Sequence, residues 1–268
     1  MPHLMWHGQR LFYRERGKGP LLLVLPGGTA SSANHQNELV YFSGDAPQRY
    51  RVVSPDFVGT GGSDRVAVWA GGWWEQNARQ AEALVSHLGY DDCIAMGTSG
   101  GAVVALLLAI LYPERVRAVI ADSCVERFSP QMLVQNVVAD RARRTPDQAA
   151  FWEQAHGADW AQVVDADTEM MRRFAAPVDA GGCGGDWFGG RLDQIRCPVL
   201  LTASWQDDML PDVGRQLCNM GEQIADCRVY LNNTGGHPLM WSRPRDFRAV
   251  SDHFLSVIAG DTSSTQKE

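Results

Sequence analysis

Apolar runs of strand length recur along the chain, and from Trp74 onward they alternate with stretches whose apolar positions return every three or four residues. Leu4 to Trp6 and Leu11 to Arg14 have the form of an antiparallel hairpin at a sheet edge. Leu21 to Leu25 is apolar throughout, as a strand covered on both faces must be, and Arg51 to Ser54, Cys93 to Met96, Val116 to Ala121, Val199 to Ala203 and Arg228 to Leu231 follow it. Among the helical stretches, Ala78, Ala81, Leu84, Val85 and Leu88 form one apolar face over Trp74 to Leu88. Ala102 to Tyr112 reads as a buried helix and Pro244 to Ile258 as a closing one. This rhythm predicts an α/β fold: a mostly parallel eight-stranded sheet with helices on both faces.

One interval breaks the rhythm. About 75 residues without a convincing strand separate Val116 to Ala121 from Val199 to Ala203, too many for an ordinary connection. Helical patterns at 130–144, 146–155 and 167–174 predict an inserted helical cap over 124–191, with the core formed by 1–123 and 192–260. The insertion closes on Ala180 to Gly190, where six glycines in eleven residues disfavour a regular element and suggest a flexible return, either a passive loop or a hinge. The polar tail, 261–268, is expected to be disordered.

With 268 residues and 45% apolar side chains, the chain can bury one large core. Its net charge of −7 is scattered, which offers no attraction to nucleic acid or anionic lipid. The N-terminal residues lack the basic start and apolar run of a secretory signal, and Ala102 to Leu111 is too short to span a bilayer, so a cytoplasmic protein is expected. Six cysteines, with no C-x-x-C pair or nearby histidine, read as reduced thiols rather than metal ligands.

Candidate chemistry enters at Gly97-Thr98-Ser99-Gly100-Gly101. A serine acts as a nucleophile only when its oxygen is exposed, a base stands beside it and the resulting oxyanion is stabilised. A sharp turn from strand to helix exposes Ser99 and crowds the positions two before and two after it, where glycines remove the clashing side chains. The following helix aims its first N–H groups at the reacting oxygen, and Gly100 would supply one oxyanion donor.

The motif lies among further signatures. Leu25-Pro26-Gly27-Gly28 follows one strand, Asp56-Phe57-Val58-Gly59-Thr60-Gly61-Gly62-Ser63 the next, and Ser204-Trp205-Gln206-Asp207 and Gly235-Gly236-His237 come later. From Leu11 to Ile258 the chain resembles the capped branch of the α/β-hydrolase superfamily, whose members use Ser, Asp and His in this chain order. The resemblance implies a Ser99, His237, Asp207 triad, with Asp208 and Asp122 as other candidates for the acid. Asp207 is favoured because Pro211 follows it by four residues, although Ser204 replaces the family's glycine three residues before it. It also implies that Gly28 is the second oxyanion donor, although Pro26 stands where relatives usually carry histidine. The Asp56 to Ser63 turn lacks a following Lys-Ser or Lys-Thr and reads as structural. His35, just after the expected oxyanion loop, could face the pocket but reads rather as a solvated loop residue, and the remaining histidines as surface or packing groups.

The implied reaction is hydrolysis of carboxylic esters through an acyl-enzyme, with no metal or organic cofactor. Trp205 and Trp241 are candidate substrate contacts, and together with Trp152, Trp160, Trp187 and Met240 they suggest a small apolar or aromatic substrate, unless they pack the cap's own core. Carbon–carbon cleavage of vinylogous diketones and removal of N-terminal proline could use the same triad. A small-molecule receptor on this fold is the reading from another class. The expected partner is a small-molecule ester, with no nucleic acid or membrane, and a homodimer is left open.

Overall fold

A computed structural model describes residues 2–69, 71–210 and 212–264. Eight strands form one sheet in the order β1-β2-β4-β3-β5-β6-β7-β8. They are β1 (His3–Trp6), β2 (Gln9–Arg16), β3 (Leu21–Leu25), β4 (Arg51–Pro55), β5 (Cys93–Thr98), β6 (Val116–Asp122), β7 (Val199–Ser204) and β8 (Cys227–Asn232). β1 pairs antiparallel with β2 and β2 with β4, while every pairing from β4 to β8 is parallel. The eight expected strands all form, each within two residues of its expected ends.

Alternation along the strands divides the core in two. Leu21, Leu23 and Leu25 join one apolar cluster, and Leu22 and Val24 the other. Helices α2 (Trp73–His87), α3 (Gly100–Leu111) and α8 (Val213–Gln223) cover the first face. Helices α1 (Gln36–Val40), α9 (Leu239–Ser242) and α10 (Pro244–Ser264) contribute to the second. α3 meets β3, β5, β6 and α2, so its side chains are apolar almost all round. The closing helix runs past its expected end to Ser264, within the stretch expected to be disordered, and the rest of that stretch, 265–268, lies outside the described residues.

Between β6 and β7 the chain forms the helical insertion. α4 (Pro130–Leu133) and α5 (Ala139–Ala142) are joined through a wider turn at Val134–Val138, and α6 (Pro146–His156) and α7 (Trp160–Ala175) follow. Thr145 begins α6 with a capping box to Gln148, and Pro146 occupies the first turn where its missing N–H costs nothing. Two glycines of the glycine-rich return meet backbone closely. A side chain at Gly185 would place its Cβ 1.7 Å from the carbonyl oxygen of Phe128, and one at Gly182 would stand 1.9 Å from that of Ala176. Phe174 and Trp187 stack at 4.1 Å, and Trp74 of the core meets Trp187 edge-on at 4.5 Å. These two glycines permit backbone contact, while Gly181 and Gly190 face open space.

Candidate active site

Ser99 sits between the end of β5 and the start of α3 with φ at 54°, a left-handed conformation that costs energy for any residue with a side chain. Its amide donates to the carbonyl oxygen of Asp122 at 2.8 Å. A Cβ at Gly97 would lie 2.1 Å from the Gly101 carbonyl oxygen, and one at Gly101 would lie 2.0 Å from that of Leu25. Neither contact leaves room for alanine, which is the steric requirement inferred from the five-residue motif.

His237 follows β8 and brings Nε2 to 2.9 Å from Ser99 Oγ, while its Nδ1 lies 2.8 Å from Asp207 Oδ2. The His237 side chain is 9% exposed and that of Asp207 is fully enclosed. Asp207 owes its orientation to its own turn, where Oδ1 accepts from the amides of Met209 and Leu210, both at 3.0 Å, leaving Oδ2 for the imidazole. With Nδ1–H donating to the carboxylate, the lone pair of Nε2 faces the serine hydroxyl. Asp208 is exposed, and its Oδ1 lies 3.4 Å from the His237 amide. Pro211, which favoured Asp207 on spacing, lies outside the described residues. Asp122 does not meet the His237 ring. It is fully buried and accepts from Thr202 Oγ1 at 2.7 Å, Thr98 Oγ1 at 3.0 Å and the Met240 amide at 3.0 Å.

Gly28 and Gly100 lie side by side beside Ser99, since a Cβ on Gly100 would stand 3.0 Å from the Gly28 nitrogen. Gly100 opens α3, so its N–H has no partner within the helix. The absence of a side chain at Gly28 admits Arg141, whose Nη2 lies 3.1 Å from where that Cβ would be. Arg141 is paired with the buried carboxylate of Asp167. The next residue, Thr29, has φ at 57°, and its carbonyl accepts from His156 Nε2 at 3.1 Å while His156 Nδ1 accepts the Gly61 amide at 3.0 Å. Burial pushes the His156 imidazole down to about 4, consistent with the neutral form that can both donate and accept.

A cavity of about 430 Å³ opens above Ser99, Gly28 and His237, and its walls are largely apolar, with Val103, Phe151, Trp152, Met171, Trp187 and Trp241 among them. Trp241 thus stands where expected. Trp205 does not: it is 57% exposed, its ring lies against Gly214, and it is not part of the cavity wall. The turn that points Asp207 inward turns the neighbouring indole outward. Met240 packs in the apolar cluster on the sheet's second face, and Trp160 stacks on Trp152 behind the wall, at 5.5 Å. His35 is also misplaced by sequence reasoning. Ser31 caps a short turn over Ser32–His35 that rotates the imidazole inward, fully buried 3.4 Å from Glu38 and 5.4 Å from the Trp241 ring.

The Asp56 turn is structural, as read: its carboxylate accepts from the Ser32 amide at 2.7 Å and the Gly62 amide at 2.6 Å. The Arg141–Asp167 pair escaped sequence reading because its members are 26 residues apart in a stretch rich in charge, where no spacing distinguishes a buried pair from solvated ones. Among the described residues no cluster of three or more His, Cys, Asp or Glu side chains could hold a metal ion, and no helix is long and apolar enough to cross a membrane.

Comparison with known proteins agrees with this architecture. The chain is 25% identical to the 2-hydroxy-6-oxo-6-phenylhexa-2,4-dienoate hydrolase of Comamonas testosteroni, over 91% of each chain. It is 27% identical to the 2-hydroxy-6-oxononadienedioate/2-hydroxy-6-oxononatrienedioate hydrolase of Burkholderia vietnamiensis, over 92% of this chain and 91% of that protein. The crystal structure of the enol-lactonase from Burkholderia xenovorans LB400 superposes with a TM-score of 0.71 at 19% identity, covering 95% of this chain and all of that one. Residues 20–180 match the alpha/beta hydrolase fold family, and the chain belongs to that family.

Proposed function

We propose that the protein is a serine hydrolase that cleaves carboxylic esters of small apolar or aromatic substrates, with Ser99 as nucleophile, His237 as general base and Asp207 as its orienting acid. The observation that carries this reading is the continuous path from Asp207 Oδ2 through the imidazole to Ser99 Oγ, at 2.8 and 2.9 Å, on the floor of an apolar cavity. Ser99 Oγ attacks the carbonyl carbon as its proton passes to His237 Nε2. The oxyanion is received by the Gly28 and Gly100 amides, and His237 returns the proton to the leaving alcohol. Water, activated by the same imidazole, then releases the acid and frees Ser99.

The test is reaction with a fluorophosphonate and turnover of p-nitrophenyl butyrate by the wild type and by Ser99→Ala. Labelling and turnover that vanish in the variant are expected; a wild type inert to both would overturn the reading. A second reading, carbon–carbon cleavage of a vinylogous diketone, is favoured by the names of the two dienoate hydrolases that match nearly the whole chain. Strong labelling with slow ester turnover, and rapid loss of the chromophore of a 2-hydroxy-6-oxo-dienoate, would select it.

A further inference from the structure

We propose that Asp122 is a positioning residue for the triad, a buried carboxylate that holds the turns bearing Ser99, Asp207 and His237 in register. The proposal rests on the serine-hydrolase reading above. Asp122 ends β6, between the strand that leads to Ser99 and the strand that leads to Asp207. Oδ2 accepts from Thr98 Oγ1, one residue before the nucleophile, and from the Met240 amide, three residues after His237, both at 3.0 Å. Oδ1 accepts from Thr202 Oγ1 on β7 at 2.7 Å and from Ser123 Oγ at 3.4 Å. The backbone carbonyl of Asp122 takes the Ser99 amide, and Ser123 Oγ accepts the Leu239 amide at 2.9 Å. Two adjacent residues therefore bind all three segments of the site; the Asp122 carboxylate stands outside the cavity wall, which Ser123 joins.

A carboxylate with no exposed surface costs stability, so its retention needs a reason. Any acceptor could satisfy one hydroxyl or one amide. Three donors from three separate segments, with Ser123 Oγ as a fourth, call for the four lone-pair sites of one ionised carboxylate, which an amide or a hydroxyl lacks. The negative charge also lies near the imidazole that becomes cationic as Ser99 attacks. The titratable groups that face Asp122 are that imidazole and the Cys124 thiol. Burial pushes the Asp122 carboxyl up to about 6, against the opposing effect of the Met240 amide and the two threonine hydroxyls.

Asp122→Asn keeps the shape and one acceptor oxygen while removing the charge. At about pH 8 it is expected to lower kcat for p-nitrophenyl butyrate, and the rate of fluorophosphonate inactivation, about 10- to 100-fold with KM within about 2-fold. Below pH 6 the two proteins should converge, because Asp122 itself becomes neutral in the wild type. Equal rates at pH 8, or a ratio that stays constant with pH, would overturn the proposal, the second outcome being that of a merely structural residue.

Ser123→Ala, which removes the acceptor for the Leu239 amide, supplies the second variant should Asp122→Asn not fold; because Ser123 also lines the cavity, a lower kcat together with a moved His237–Asp207 proton resonance is expected, and an unaltered kcat counts against the proposal. If the wild type neither labels nor turns over, the hydrolase reading fails. The positioning claim is then read from the proton resonance shared by His237 Nδ1 and Asp207, which should move in either variant. An unmoved resonance overturns it.

Discussion

The turn that bears Ser99 and the helical insertion meet across the same cavity, yet they are specified in different ways. In the turn, five consecutive residues carry the whole requirement: Ser99 takes a strained conformation, and Gly97 and Gly101 stand where any side chain would strike backbone at about 2 Å. In the insertion, the contacts that shape the cavity join residues far apart in sequence: Arg141 with Asp167, Ser31 with the Ala155 carbonyl, His156 with Thr29, Phe174 with Trp187. The presentation of Ser99, the proposed nucleophile, is thus set by local backbone sterics, whereas the room in the cavity is set by tertiary packing. A protein built this way can change what it accepts by altering the insertion while leaving the turn intact.

The largest expected effect tests how far local specification extends. The Asp207 carboxylate is aimed by hydrogen bonds within its own turn, and its neighbour Asp208 is left outside. Asp207→Asn should reduce kcat about 10³- to 10⁴-fold, because the amide can hold the imidazole in the wrong tautomer and cannot offset its charge. Asp208→Asn should change kcat by no more than about 3-fold, as befits an exposed group. Steady-state kinetics on the two variants decides the matter, and a greater loss in the second would mean that the local turn does not select the acid.

A somewhat smaller effect is expected in the insertion, on stability. Arg141→Leu leaves the Asp167 side chain, 2% exposed, without its counter-ion, at a cost of about 3–5 kcal/mol. Replacing both, Arg141→Leu with Asp167→Leu, should recover most of that loss, since an ion pair withdrawn from water is worth little more than well-packed apolar groups. Urea unfolding of the two single variants and the double variant measures the coupling. Additive losses would show that the pair is not a unit and that this wall of the cavity is held by something else.

The same division governs what could be read before the structure. All eight strands were legible, the central ones because a buried strand announces itself by a short apolar run, and Gly97 to Gly101 was legible because its steric demand falls on adjacent residues. His237 was found by its two glycines and its place after the last strand. Trp205 was misread because neighbours in sequence need not share a face: one turn sends Asp207 inward and the indole out. His35 was misread because a capped turn, rather than its own polarity, decides its direction. Helix α8 escaped notice between β7 and β8, its apolar positions Val213, Leu217 and Met220 being too sparse to stand out from the polar residues around them. The Asp122 network, Ser123 apart, and the Arg141 pair depend on partners at least 24 residues away, for which a single sequence carries no spacing rule.

The smallest expected effect sets one buried group from each region against the other. Asp122 underlies the nucleophile turn, and burial raises it from 3.8 to about 6. His156 belongs to the insertion, and burial lowers it from 6.5 to about 4. A carboxyl whose folded pKa is raised contributes stability that is fully present below pH 3.8 and is lost as pH rises through 6, about 3 kcal/mol in all. An imidazole whose folded pKa is lowered contributes stability that is present above pH 6.5 and is lost as pH falls through 4, again about 3 kcal/mol. Between pH 4 and 6 the two slopes oppose one another, and their joint contribution is nearly flat. Each removal should unmask the other. Relative to wild type, Asp122→Asn should gain stability as pH rises through this window, and His156→Gln should lose it, by about 1 kcal/mol per pH unit at most. All other titrating groups are common to the three proteins and cancel in the differences. Urea unfolding at pH 4, 5, 6 and 7 provides the comparison. Parallel curves would mean that neither region stores its burial cost in ionisation, while a slope in only one variant would locate that cost on one side of the cavity.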